Sequence, residues 1–371
     1  MSKIIVIGSL AASLINFRGP LLREMVERGH EVLACAPDAS PDIQGKLKVL
    51  GVEYRNISID RTGLNPVRDI YTICSLISLF REVRPDMVLG YTIKPVIYGS
   101  LAGRMAGVPR IFSMITGLGY AFSDGGIKEW LVGSVVRFLY KLGMCANKRV
   151  FFQNPDDRDF FIKLGLLRDF EQAALINGSG VDVDFFQPAS FPEKVSFLLI
   201  ARLIKDKGIL EYVQAARIVK AKHPQTKFRL VGWIDEGPQG ISRPDLDSWV
   251  KEGQIEYLGR LDDVRPAIAD ASVYVLPSSY HEGTPRTVLE AMSMGRPVIT
   301  TDAPGCRETV EEGLNGFLVP LRDAKALAER MEYFIKNPEL IVSMGEESRR
   351  IAVEKYDVRK VNKEIMKVMG L

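Results

Sequence analysis

The sequence is poor in the residues that build redox, metal or disulfide sites. Its four cysteines (Cys35, Cys74, Cys145, Cys306) are scattered without a Cys-x-x-Cys pair, and three of them fall in apolar, core-like runs. That pattern argues against a disulfide framework or a zinc site and fits a reducing cytosol. Its three histidines, His30, His223 and His281, are too far apart to make a ligand set. No run of ~20 uncharged apolar residues exists, so no transmembrane helix is expected. Residues 1–8 read as a strand and a glycine turn, not as a signal peptide. The first loop, residues 8–20, lacks Gly-x-Gly-x-x-Gly, which lowers the case for a nicotinamide dehydrogenase. A net charge of +3 is too small to point to nucleic acid. Internal repeats and low-complexity stretches are absent.

What is present is a long alternation of strand and helix. With 371 residues, 46% hydrophobic and 26% charged, the chain can build two cores. In the first half, strands are expected at 4–7, 30–36, 53–59, 86–89, 110–115, 150–152 and 173–176. Helices fall between them at 18–28, 43–50, 66–84, 95–106, 127 onward and 155–164. Residues 182–192 break the pattern and read as a linker. Strands resume at 197–200, 227–231, 255–258, 273–276, 298–300 and 316–319, and further helices follow from 323 to 368. This predicts an α/β protein of two Rossmann-like domains with parallel sheets, residues 1–185 and 186–355. Ligands of such sheets bind outside the carboxyl ends of the strands.

The chemistry concentrates in two stretches of the second half. The first runs His281-Glu282-Gly283-Thr284-Pro285-Arg286-Thr287-Val288-Leu289-Glu290. It follows the apolar strand at 273–276 and leads into a helix, with Thr284 as N-cap and Pro285 at the first helical position. Free backbone N–H groups at a helix start favour an anion, and Glu282 and Glu290 flank them as acceptors for hydroxyls. A nucleotide sugar needs that combination; a solvated glutamate pair is the bland alternative. The second stretch is Ala201-Arg202-Leu203-Ile204-Lys205-Asp206-Lys207-Gly208, at the end of a strand. Arg202 offers a planar fork for phosphate oxygens and Lys207 a point charge. The alternative is a solvated basic loop.

The Glu-x7-Glu spacing of Glu282 and Glu290, with Arg202-x4-Lys207-Gly208 upstream, resembles the retaining glycosyltransferases of family four, which have the GT-B fold. The resemblance implies two Rossmann-like domains facing a cleft, with the C-terminal helix 356–371 returning to the first domain. Val361, Ile365 and Val368 give that helix an apolar face. It also implies that Glu290 holds the ribose, that Glu282 contacts the donor hexose, and that the Gly283 and Thr284 N–H groups face sugar and phosphate. Arg202 and Lys207 would offset charge on the leaving diphosphate. The glycines of the 177–182 segment suit a hinge or a plain loop. Many family members place a histidine near the transferred sugar; here Tyr91, Thr92 and Lys94 stand in its place.

Arg18, Tyr91, Lys94, Gly117 and Gly119 are the acceptor-side candidates. Arg18 would face an anionic acceptor or cap the sheet edge; Lys94 would bind acceptor phosphate or stand solvated before a helix. The helix from Ile127 is apolar with Arg137 and Lys141 on a basic stripe, which suits an anionic membrane surface or a domain edge. The Gly117-Leu118-Gly119 loop and the Tyr91–Pro95 segment resemble the bacterial branch that extends sugars carried on undecaprenyl diphosphate. The expectation is a retaining hexosyltransferase. It would move an N-acetylhexosamine from a UDP-sugar to a lipid-linked acceptor, peripheral on the cytoplasmic membrane face. No metal and no cofactor are expected. Rival readings are a GT-B epimerase or hydrolase, and a noncatalytic nucleotide-sugar-binding protein.

Overall fold

In the computed structural model, residues 1–60, 65–118 and 127–371 are described, with the backbone alone for 127–132. The chain divides into two units, Met1–Ser179 with Arg359–Leu371, and Gly180–Val358.

The first unit alternates as its apolar runs dictate. It runs β1 (Lys3–Ile7), α1 (Ala11–Asn16), α2 (Gly19–Glu27), β2 (Glu31–Ala36), α3 (Pro41–Val49), β3 (Glu53–Asn56) and α4 (Pro66–Val83). It continues through β4 (Met87–Tyr91), α5 (Ile93–Ala106), β5 (Arg110–Ile115), α6 (Ile127–Met144), β6 (Arg149–Phe152), α7 (Pro155–Lys163) and β7 (Ala173–Leu175). Three helices begin on a polar residue followed by proline: Ser40, Asn65 and Asn154 accept from Ile43, Val67 and Asp157 N–H at 3.4, 3.2 and 2.7 Å. Proline at the first helical position lacks the N–H that would be orphaned there, and such a cap contributes about 1 kcal/mol. The strands pair in parallel in the order β3-β2-β1-β4-β5-β6-β7. Both faces are buried, one around Ile5, Phe80, Phe152 and Phe161, the other around Val6, Leu22, Phe112 and Phe151. One helix was not expected. The loop at residues 8–20 contains α1, six residues too short to show a period, anchored by buried Ala11 and Leu14.

The second unit holds β8 (Ser196–Ile200), α8 (Ile209–Lys222), β9 (Lys227–Val231), α9 (Arg243–Lys251), β10 (Glu256–Tyr257), α10 (Arg265–Ala269) and β11 (Val273–Leu276). It then has α11 (Arg286–Ser293), β12 (Val298–Thr301), β13 (Gly316–Val319), α12 (Ala324–Lys336) and α13 (Glu339–Lys355). Its parallel sheet has the order β10-β9-β8-β11-β12-β13. The last helix, α14 (Val358–Met369), buries Val361, Ile365, Met366 and Met369 in the β1/β5/β6 core of the first unit.

The segment read as a linker, residues 182–192, is fixed into the second unit. Val183 and Phe186 are core residues there. The Arg349 guanidinium donates to the Val183, Phe186 and Ser293 carbonyls at 3.0, 3.1 and 2.8 Å. Arg296, fully buried, donates to the Ala189, Ser190, Ile268 and Ala269 carbonyls and lies over Phe191. Its partners are dipoles and no carboxylate is among them, so burial lowers its pKa to about 10. The break between units falls instead at Ser179/Gly180 and Val358/Arg359. Gly180 has φ 70°, and an added Cβ would crowd the Val358 backbone, beside the bridge between Val181 and Asp357. The cysteines also differ from expectation: Cys35 and Cys306 are buried, whereas Cys74 and Cys145 are exposed, turned outward by the helical period of α4 and the end of α6.

Candidate functional site

In the second sheet the strand order reverses between β8 and β11, which pair side by side. The crevice outside their carboxyl ends is where such a sheet binds ligands. Both motif stretches emerge there. After β8 the chain makes a 3-10 turn, Lys205–Lys207, closed by Gly208 at φ 74°. A Cβ on Gly208 would overlap the Pro277 carbonyl, so this glycine is what lets the loop lie against the end of β11. The Asp206 carbonyl accepts from Ser279 and Tyr280 N–H at 2.8 and 3.0 Å, joining the two loops.

That junction brings Lys207 and Glu282 into a direct ion pair, with side chains 17% and 11% exposed. Ser278, fully buried, donates to the same Glu282 oxygen at 3.1 Å. The Lys207 ammonium also lies 5.0 Å from the Tyr280 ring centre. Behind the glutamate, Gly305 at φ 80° packs its backbone on Glu282 and Gly283 with no room for a side chain. The buried Cys306 thiol beside them is pushed up to about 12, by burial first and by the Glu282 charge second.

Glu290 sits one turn into α11, buried, with Arg286 Nε 2.9 Å from its carboxylate. Burial raises its pKa and Arg286 opposes the rise. The Tyr274 hydroxyl lies 2.7 Å from Thr287 Oγ1 and 3.1 Å from the Ile200 carbonyl, tying the start of α11 to the end of β8. Arg202 pairs with Asp235 at 3.3 Å, and Asp235 in turn accepts from Gly237 N–H at 2.8 Å. Arg202, Lys207, Glu282 and Glu290 thus all stand at the carboxyl edge of β8 and β11, each cation beside a carboxylate. Such a set can hold a diphosphate by exchanging its carboxylate partners for phosphate oxygens, and can accept hydrogen bonds from sugar hydroxyls.

One local expectation shifts. Helix α11 starts at Arg286 with Pro285 as its N-cap, so Thr284 is not the cap and Pro285 is not the first helical residue. The Pro285 backbone is extended, φ −69° and ψ 113°, which sets the boundary one residue later. Gly283 is buried and Thr284 half-buried in the loop before it.

The acceptor-side candidates scatter within the first unit. Arg18 is buried, its guanidinium 5.0 Å from the Tyr91 ring centre and 3.2 Å from Ser179 Oγ. Tyr91 is a core residue whose hydroxyl meets Ser13 Oγ at 2.7 Å, so its side chain is committed to packing and not presented to a ligand. Lys94 lies in the first turn of α5 and pairs with Asp69 at 2.8 Å, neither solvated nor ahead of the helix. Gly117 follows β5 at φ 112°. Gly119 lies outside the described residues. On α6, Lys141 is exposed and Arg137 half-buried, donating to Ser134 Oγ at 3.0 Å.

Sequence reasoning missed Ser278, Asp235 and Arg286. Ser278 and Arg286 each stand four residues before the motif glutamate they contact, Glu282 and Glu290, a spacing that offered a signal. Asp235 lies 33 residues from Arg202 in a loop, and only the fold brings it near. It also passed over a pair of hydroxyls in the first unit, Ser9 Oγ and Thr92 Oγ1, 2.9 Å apart. Thr92 has φ 68° and ψ 161°, a strained conformation for a β-branched residue that costs of order 1–3 kcal/mol. Among the described residues, no group of three or more His, Cys, Asp or Glu side chains is placed to hold a metal ion. Nor is any helix long and apolar enough to cross a membrane.

Comparison with known proteins gives the family. Residues 18–178 match the glycosyl transferase 4-like domain, and residues 194–337 match the glycosyl transferases group 1 family. The N,N'-diacetylbacillosaminyl-diphospho-undecaprenol alpha-1,3-N-acetylgalactosaminyltransferase of Campylobacter jejuni is 28% identical over 360 residues, 93% of this chain and 92% of that protein. The UDP-Gal:alpha-D-GlcNAc-diphosphoundecaprenol alpha-1,3-galactosyltransferase of Escherichia coli is 28% identical over 72% of this chain and 69% of its own length. Among solved structures, Anabaena HepE in complex with UDP superposes with a TM-score of 0.79 at 18% identity over the full length of both chains. Two parallel sheets, the matched domains and these relatives lead to one conclusion: the chain belongs to the glycosyltransferases of the GT-B fold, with a glycosyl transferase 4-like domain followed by a group 1 domain.

Proposed function

We propose that the protein is a retaining hexosyltransferase that moves an N-acetylhexosamine from a UDP-sugar to a polyprenyl-diphosphate-linked sugar. The observation that carries this reading is the Lys207–Glu282 pair, set beside the start of α11 at the reversal point of the second sheet. A UDP diphosphate entering there takes Lys207 and Arg202 as counter-ions, and Glu282 is released to the hydroxyls of the donor hexose. Glu290, one turn on, takes the ribose hydroxyls. As the bond from the anomeric carbon to the β-phosphate breaks, negative charge grows on the leaving phosphate, and the two cations stabilise it. The acceptor oxygen bonds the same carbon, and its proton passes to the phosphate oxygen. Glu282 orients the hexose for this attack.

The relatives support the substrate class. Both carry a diphospho-undecaprenol acceptor in their names, and both name an alpha-1,3 product. A UDP-hexose is itself α-linked, so an α-product requires retention. The lipid acceptor favours a peripheral place on the inner membrane face, and α6 supports it with exposed Val135, Phe138 and Leu142 beside exposed Lys141.

The experiment is UDP binding by calorimetry together with a transfer assay. Arg202→Ala and Lys207→Ala should each weaken UDP by the ~1.5–3 kcal/mol of a charged hydrogen bond. Glu282→Ala should fold normally and lose transfer. Unchanged UDP affinity in both cation variants contradicts the site. Because side-chain cations supply the countercharge, full activity is expected in the presence of a chelator; strict metal dependence refutes that account.

A further inference from the structure

The first unit has its own reversal point. Its strand order turns between β1 and β4, which pair from Ile4 against Met87 to Ile7 against Gly90. Ser9 follows β1 and Thr92 follows β4, so their hydroxyls meet at that crevice, 2.9 Å apart. The chain around them is closely fitted. A Cβ on Gly8 would overlap the Tyr91 ring, and one on Gly90 would crowd the Pro95 carbonyl. Thr92 itself holds φ 68°, where a glycine would sit without strain. A hydroxyl-bearing side chain is therefore kept at a backbone position that suits glycine. Such strain concentrates where a side chain is needed for a ligand.

The nearby charges narrow the ligand. Arg18 lies over Tyr91 and contacts Ser179, while Lys94 is held by Asp69. What Ser9 and Thr92 add at the crevice is a neutral pair, each hydroxyl able both to donate and to accept. That suits ring hydroxyls or an acetamido group better than a phosphate. We propose that Ser9 and Thr92 form a subsite in the first unit for a neutral hydroxyl or amide of the acceptor sugar. The proposal rests on the lipid-linked acceptor reading and adds the residues that would recognise its sugar.

The test uses the full chain with UDP-N-acetylgalactosamine and a short-chain prenyl-diphosphate-linked N-acetylglucosamine. Ser9→Ala and Thr92→Val should each raise the acceptor KM tenfold or more and leave the UDP-sugar KM within twofold. Thr92→Ser should stay close to wild type. Thr92→Gly should melt no lower than wild type yet lose the acceptor as Thr92→Val does, whereas a residue kept only for the fold would lose stability. An unchanged acceptor KM in Ser9→Ala and Thr92→Val overturns the proposal, as does a change confined to the UDP-sugar KM. If the wild type turns over no prenyl-linked acceptor, the broader reading fails. Saturation-transfer NMR with the methyl glycoside of N-acetylglucosamine then decides the subsite alone. Transfer to wild type that is lost in Thr92→Val supports it; equal transfer to both, or none to wild type, overturns it.

Discussion

Glu290, the proposed ribose contact, is a buried carboxylate that opposes the stability of its own fold. Its carboxylate is buried and its pKa raised by desolvation, with Arg286 only partly compensating. A raised carboxylate pKa means that the folded state holds its proton more tightly than the unfolded state. The associated stabilisation is complete below the ordinary glutamate pKa and is lost as pH rises through the raised folded value. At neutral pH the ionised group therefore costs stability. Glu290→Gln should melt at the same or a higher temperature than wild type at pH 7.5, while uridine affinity falls by at least ~1.5 kcal/mol, about tenfold. Uridine lacks the phosphate titration that would blur the pH profile. Wild-type affinity should weaken as pH drops through the raised value, and the glutamine variant should be flat; a matching slope in both removes Glu290 from the ribose. At this scale, Glu282, Glu290, Arg202 and Lys207 were legible because each sits in a short stretch with its own local chemistry. Lys94 was not, because its charge is answered by Asp69, 25 residues away on another helix.

Elements were legible where local chemistry and period agree. Asn65-Pro66 and Asn154-Pro155 announce two helix starts, and the structure uses each as a cap and first residue, whereas the helix expected from residue 43 begins at Pro41, capped by Ser40. The strand at Val273–Leu276 reads directly from four consecutive buried apolar residues. Helix α1 escaped because six residues give no period, and residues 182–192 misread as a linker because their anchors, Arg296 and Arg349, lie far along the chain. The join of the 201–208 loop to the end of β11 gives a prediction at this scale. Gly208 and Gly107 share nearly the same φ, 74° and 76°, but a Cβ on Gly107 meets nothing within 4 Å. Gly107→Ala should cost only the left-handed conformation, about 1–2 kcal/mol. Gly208→Ala adds a backbone overlap with Pro277 and should cost about 2–4 kcal/mol in urea unfolding, with loss of UDP binding. Equal costs for the two would mean that the loops are not locked together at this point.

On the proposed reading, the whole molecule must bring a water-borne nucleotide sugar and a lipid-borne acceptor to one enzyme, and α6 is the element proposed for the lipid side. Val135 and Phe138 are 56% and 61% exposed, Leu142 is 39% exposed, and exposed Lys141 stands among them on the same helix. Apolar side chains left in water beside cations gain twice at an anionic bilayer, by burial and by charge. The protein should sediment with vesicles containing phosphatidylglycerol, and less so as salt rises, since charges are screened over ~8 Å at physiological ionic strength. Each basic residue near such a surface contributes about 1 kcal/mol. Reversing Arg137 and Lys141 to Glu together should therefore lower vesicle affinity by roughly a hundredfold or more. Phe138→Ser should weaken binding at high salt as well, where only burial remains. UDP affinity, which the proposed donor site puts in the other unit, should not move in either variant. Vesicle binding that ignores both changes would make α6 an ordinary domain helix and leave the acceptor lipid to be met elsewhere on the molecule.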